Sequence, residues 1–179
     1  MANSIQEVLE RGYIHIDDGV GYKGITEIYN ELAGHAGRLQ RAYVRLNDSY
    51  FLYVPTFDSF LENGVEKTLY SSSAALLTLL DGGNVKPRSN DADDGKWMNF
   101  LSEDLAEITE IDVENEKGLM TGPFKEQTKR VTFMKVGNEP VKFIGVFEAV
   151  SAERRSYGCA RIYKRISDRI DISELKASK

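Results

Sequence analysis

The sequence is short of the residues that most metal, redox and nucleotide chemistry uses. It has one cysteine, Cys159, and two histidines, His15 and His35, among 179 residues. A single cysteine excludes an intramolecular disulfide framework and fits a reducing compartment. Neither histidine has a Cys, His or Asp at a metal-ligand spacing that would make a site. There is no Gly-x-x-x-x-Gly-Lys-Ser/Thr loop, which argues against a P-loop nucleotidase. No apolar run, Ala74 to Leu77 included, is long enough to cross a bilayer. The N-terminal Met1-Ala-Asn-Ser-Ile-Gln-Glu has no basic segment followed by an apolar one, so no signal peptide is expected. These readings predict a cytoplasmic protein without membrane contact and without a cofactor or bound metal.

What the chain has is an ordinary globular composition, 41% hydrophobic and 28% charged, with a net charge of −5. That net value hides an asymmetry. Residues 1–120 carry 10 Lys+Arg against 21 Asp+Glu, whereas residues 121–179 carry 13 against 7. The C-terminal third is therefore basic. It can face an anionic ligand such as nucleic acid, or be neutralised by the acidic part within the fold or in a dimer. The expected organisation is one domain over 1–179. It can be subdivided into an acidic α+β part over 1–90 and a barrel-like part over 91–179.

Local patterns give the elements. Ser4 with Glu7 has capping-box spacing and predicts a helix over 4–11. Residues 13–16 suggest a short strand, and the apolar stripe Ile25, Ile28, Tyr29, Leu32 a second helix. Residues 39–46 and 50–54 form a hairpin around Asn47-Asp48-Ser49. Residues 57–70 are ambiguous, with Gly64 in their middle. Ser71 to Leu80 predicts a serine-capped helix. Residues 82–94 predict a loop, the best candidate for a mobile segment or a connection. Trp97, Phe100, Leu101 and Leu105 at helical spacing predict a helix over 96–105. Strands follow at 106–113, 130–136, 141–150 and 160–166. Residues 141–150 are apolar on both faces, as in a central strand, with Val141, Phe143 and Phe147 assigned to one face and Ile144, Val146 and Val150 to the other. Gly145 suggests a bend or bulge there. In all this gives six or seven strands and four helices. The fold class is α+β, with a curled, mainly antiparallel sheet or partly open barrel.

The sharpest chemical signal is Arg-x-Tyr-x-Arg, which occurs as Arg41-Ala-Tyr43-Val-Arg45 and as Arg161-Ile-Tyr163-Lys-Arg165. On a strand, alternation puts the Tyr and both Arg on one face. With Ala42, Val44, Leu46, Ile162 and Ile166 turned inward, both stripes are expected to face outward. Guanidinium and phenol on one face suit stacking on flat rings and pairing with phosphate. The alternative is a solvated strand face with ordinary cross-strand pairs. The charge division favours Arg161, Tyr163 and Arg165 for an anionic ligand. It leaves Arg41, Tyr43 and Arg45 to be held by the chain's own carboxylates. Trp97 is a further candidate wall of a cleft. Tyr50, Phe51, Tyr53, Phe57 and Phe60 are assigned mainly to the core, and Cys159 to a plain semi-buried thiol.

Three further patterns bear on catalysis and metal binding. Asp94-Gly95-Lys96 and Glu174-Leu175-Lys176 match the acid-x-Lys element of a Mg²⁺-dependent nuclease, but neither follows a β-branched strand. The acidic loop over 90–95 lacks the Glu that a calcium loop needs at its twelfth position, where Ser102 stands. Ser71-Ser72-Ser73 has no nucleophile-elbow context, and helix capping explains it.

The segment Val141-Lys-Phe-Ile-Gly-Val-Phe-Glu-Ala-Val150, followed by Ala160-Arg-Ile-Tyr-Lys-Arg-Ile166, resembles the paired late strands of PUA-like modules. These are small curled barrels, including the EVE and SRA types, that bind RNA or modified DNA bases. The resemblance covers the C-terminal part only. It implies a nucleic-acid reader in which an aromatic cage takes a flipped base. The expected function is thus a module binding nucleic acid, a modified base or a nucleotide, with DNA or RNA as partner. A protein–protein interaction module, for example in phage–host conflict or regulation and including a homodimer, is the alternative. A Mg²⁺-dependent nuclease is a third reading.

Overall fold

In the computed structural model the described residues are 1–82, 87–88, 97–112, 129–135 and 139–178. The helices are α1 (Ile5–Arg11), α2 (Ile25–Glu27), which continues as a π-helical turn over Ile28–Leu32, and α3 (Ser73–Asp81). The strands are β1 (Tyr13–His15), β2 (Tyr43–Arg45), β3 (Phe51–Tyr53), β4 (Ser59–Glu62), β5 (Val65–Lys67), β6 (Leu69–Tyr70) and β7 (Pro87–Arg88). They continue with β8 (Trp97–Ser102), β9 (Glu107–Asp112), β10 (Lys129–Met134), β11 (Lys142–Arg155), β12 (Gly158–Ser167) and β13 (Arg169–Asp171). The fold is mixed α+β. Its largest sheet is open and mainly antiparallel, in the order β2-β3-β10-β11-β12-β9-β8-β6.

The chain divides into two compact units that interleave in sequence. The first comprises 1–56, 126–148 and 165–179, and the second 57–125 and 149–164. The units exchange chain several times, because β11 and β12 each supply residues to both.

In the first unit, Ser4 Oγ accepts the Glu7 N–H and Gly12 N–H closes α1 on the Val8 carbonyl. The β2–β3 hairpin forms as expected. Asn47 Oδ1 accepts the N–H groups of Ser49 and Tyr50 at 2.9 and 3.0 Å, fixing the turn. One core gathers Val8, Ile14, Ile28, Leu32, Leu52, Val131, Phe133 and Phe143. The two histidines are structural. His35 stacks on Tyr29 and contacts the Leu175 carbonyl through Nε2, and His15 Nδ1 accepts the Asp17 N–H.

Asp18 ties the N-terminus down. Its carboxylate accepts the N–H groups of Ala2 and His15 and a two-pronged contact from Arg11 at 2.9 and 2.6 Å. Burial alone would raise its pKa; the hydrogen bonds from Arg11, His15 and Ala2 outweigh that and hold it below the usual carboxylate value. A depressed folded-state pKa gives stability that is present above the unfolded value of about 3.9 and lost as pH falls through the folded one. Asp18→Ala is therefore expected to cost about 2 kcal/mol at pH 7 and less at pH 2. Urea unfolding at both pH values checks this, and an equal loss at both would refute the linkage.

β11 is the central strand predicted, and Gly145 does sit at a bulge. The register against β10 shifts there: Thr132 pairs with Gly145 but Phe133 pairs with Phe143, so Ile144 is the extra residue. This corrects the face assignment. An extra residue reverses the alternation, so Phe143 and Val146 share the core with Val141, whereas Phe147 turns away from it opposite Arg130.

In the second unit, residues 57–70 resolve into the β4–β5 hairpin and β6. Asn63 and Gly64 have φ of 51° and 79°, the left-handed pair that a two-residue hairpin turn needs. α3 is capped by Ser72 Oγ on the Ala75 N–H and buries Leu76, Leu77 and Leu80. Each is worth about 1.5–3 kcal/mol of apolar transfer.

The helix predicted over 96–105 is wrong: β8 occupies Trp97–Ser102. Met98, Phe100, Leu101 and Ser102 are all buried, so the strand has covered side chains on both faces. An apolar run of that kind mimics helical spacing, and strand pairing decides it. Apart from 82 and 87–88, the loop predicted over 82–94 lies outside the described residues, as do the acidic loop and Asp94-Gly95-Lys96. Glu174-Leu175-Lys176 lies at a 3₁₀ turn, with Leu175 buried in the core rather than on a strand.

Candidate functional site

Three strands of the second unit form a grid whose two faces differ in kind. Trp97 on β8, Asp112 on β9 and Cys159 on β12 are in register; so are Asn99, Glu110 and Arg161, and then Leu101, Ile108 and Tyr163. Alternation puts all nine on one face. The rows between them, Met98–Ile111–Ala160 and Phe100–Thr109–Ile162, form the other face. That second face is a hydrophobic core against α3, with Phe60, Tyr70, Leu76, Leu77 and Leu80.

The first face is charged and yet closed to solvent. Arg161 is 0% exposed, Glu110 3% and Asp112 7%. Arg161 Nη2 lies 3.4 Å from Asp112 Oδ2, and Nη1 lies 4.0 Å from Glu110 Oε1. The same guanidinium stands 5.6 Å from the Trp97 ring. Asn99 is fixed by its backbone: its N–H donates to Asp58 Oδ2 at 2.9 Å, and its carbonyl accepts the Asp58 N–H at 2.7 Å. Burying charge is costly, and ion pairing returns only part of that cost. A cluster of one guanidinium, two carboxylates, an amide and an indole offers donors, acceptors and a flat apolar surface together. That combination suits the hydrogen-bonding edge and the ring face of a heterocyclic base.

Cys159 lies on this face, fully buried; burial raises its thiol pKa, with Arg161 opposing and the neighbouring carboxylates adding to the rise. Burial thus favours the thiol over the thiolate.

The two Arg-Tyr stripes are not equivalent, and the structure gives them different surroundings. The outward face predicted for the second stripe is corrected: Arg161 and Tyr163 are both 0% exposed, because both faces of β12 are covered where β9 pairs with it. Arg161 is the arginine held by carboxylates. Arg165 belongs to the first unit, where it fills the bulge: Nη1 contacts the Ile144 carbonyl at 3.4 Å and Nε pairs with Asp168 at 3.1 Å. In the first stripe Arg41 and Arg45 are exposed and Tyr43 is half-buried, with no ion pair from either arginine to a described residue. Ala42, expected inward, is exposed, since β2 begins only at Tyr43. Trp97 lies on the charged face, in register with Asp112.

Glu110 and Asp112 were not singled out from the sequence. Their signal was available: carboxylates at i and i+2 on a predicted strand share one face, as Arg161 and Tyr163 do.

Comparison with known proteins agrees with this fold. The sequence profile of the SET and RING associated (SRA) domain matches residues 83–172. A solved structure, "The 5-Hydroxymethylcytosine-Specific Restriction Enzyme AbaSI", is similar in fold, with a TM-score of 0.60 at 19% identity over 94% of this chain. This chain spans 45% of that enzyme's length. No curated protein sequence matches it significantly.

Proposed function

Because this chain belongs to the SET and RING associated (SRA) domain family, we propose that it binds DNA and receives a modified cytosine against the charged face of β8, β9 and β12. The observation that carries this reading is the buried cluster Arg161–Glu110–Asp112 beside Trp97, on the face opposite the α3 core. A carboxylate accepts from the cytosine N4 amino group, and a guanidinium donates to ring or carbonyl acceptors. An indole offers a stacking surface for an extruded base. The restriction enzyme of similar fold is described as specific for 5-hydroxymethylcytosine, which makes 5-substituted cytosines the substrates to test first.

The work of each residue follows from its chemistry. Glu110 and Asp112 fix Arg161 and present carboxylate oxygens along one face of β9. Asn99, held through its backbone by Asp58, presents its amide beside Glu110. The apolar rows beneath keep the sheet rigid against α3, so the polar groups are set before a ligand arrives.

The test is fluorescence anisotropy with duplexes that differ only in cytosine, 5-methylcytosine or 5-hydroxymethylcytosine at one position. Wild-type protein is expected to prefer a modified duplex. Trp97→Ala is expected to weaken that preference by about 5- to 150-fold, the equivalent of one lost stacking contact of about 1–3 kcal/mol. Equal affinity for all three duplexes would overturn the base-reading role. No DNA binding at any salt would favour the interaction-module alternative.

A further inference from the structure

Between Glu31 and Asp48 the chain carries no acidic residue, but it carries Arg38, Arg41 and Arg45. All three are exposed, and none forms an ion pair with a described residue. By contrast, three other arginines of the same unit, Arg11, Arg165 and Arg169, each have a carboxylate within 3.1 Å. Arg45 is also pre-positioned. It ends β2, an edge strand of the large sheet, and its guanidinium lies 5.3 Å over the Phe51 ring of β3. Stacking of that kind engages the flat face of the guanidinium and leaves its N–H edge for an oxyanion.

We propose that Arg38, Arg41 and Arg45 form a strip in the first unit that contacts the phosphate backbone of a DNA duplex. The strip rests on the DNA-binding reading above, but not on the base-reading role of the second unit. Uncompensated guanidinium groups on an exposed segment release counterions from DNA when they neutralise phosphates, with little change in the protein's own ion pairs. Tyr43, half-buried within the strip, gives it a hydrogen-bonding hydroxyl on the same face as Arg45. Charge on an edge strand also discourages aggregation, and that role alone would leave DNA affinity untouched.

The experiment titrates an unmodified duplex and a modified one with the full chain between 50 and 200 mM salt. Each phosphate contact contributes a slope of about −0.9 in log K against log salt. The triple variant Arg38→Ala, Arg41→Ala, Arg45→Ala is expected to flatten the slope by about 2–3, with the modified-to-unmodified affinity ratio unchanged. The three lysine replacements are expected to keep most of the slope, since charge is retained. An unchanged slope in the alanine variant, with an unchanged circular-dichroism melt, would overturn the proposal. So would loss of poly-glutamate binding while the DNA slope stays, because the occupant would then be an acidic polypeptide. A flattened slope in a protein that never discriminates the modified base would support the strip and remove the base-reading role alone.

Discussion

Arg161→Ala is expected to lower the unfolding free energy by about 3–5 kcal/mol, the cost of removing one partner from a buried ion pair. The guanidinium has 1% of its side chain exposed and stands within 4.0 Å of two carboxylates that are themselves 4% and 10% exposed. Without it Glu110 and Asp112 remain as neighbouring buried anions on one strand face. Urea denaturation at pH 7 measures the loss. Adding Glu110→Gln and Asp112→Asn to the alanine variant removes both charges, and is expected to restore more than half of the lost stability. A loss below about 1 kcal/mol would show that the pair is solvated and would weaken the case for a pre-formed polar face. The same triple variant separates folding from recognition: if the cluster reads the base, stability returns but discrimination between modified and unmodified duplexes does not.

The second large effect is expected at Gly145. Its φ of 123° is a conformation that side-chain-bearing residues rarely adopt. A Cβ there would meet the Arg165 side chain, 2.8 Å from Cγ and closer still to Cδ, and the Ser167 carbonyl at 2.9 Å. Arg165 can swing away only by leaving the Ile144 carbonyl and Asp168. Ser167 O is backbone and cannot yield so easily. Gly145→Ala should therefore cost about 3 kcal/mol or more. Arg165→Ala in the same chain relieves the side-chain clash but not the backbone strain. The double variant is expected to be about 1 kcal/mol more stable than the sum of the single losses implies. Strict additivity would mean that Arg165 does not fill the bulge.

Several elements were legible because their causes are local. Ser4 and Ser72 cap helices through the residues that follow them, and Asn47 closes its own turn. The apolar run over 141–150 gave a central strand, and Gly145 marked its bulge. The bulge also exposed the limit of local reading. Counting by twos from Val141 assigns Phe147 to the core, and one extra residue moves it to the other face. At 97–102 local spacing points to a helix, and pairing with β9 makes the segment a strand instead.

The sequence by itself determined the α+β class, the resemblance to PUA-like modules and the charge difference between the two parts of the chain. Composition, period and turn chemistry are properties of neighbouring residues, so they can be read along the chain. Only the tertiary structure decided what each arginine faces. Arg161 meets Glu110 and Asp112, about fifty positions earlier in the sequence, because β12 pairs with β9. Arg41 and Arg45 stay in solvent because none of the described carboxylates folds back onto them. Identical Arg-x-Tyr-x-Arg spellings thus became a buried ion cluster and an exposed strip. A side chain's electrostatic environment is set by strand pairing across long sequence distances, which no local pattern encodes.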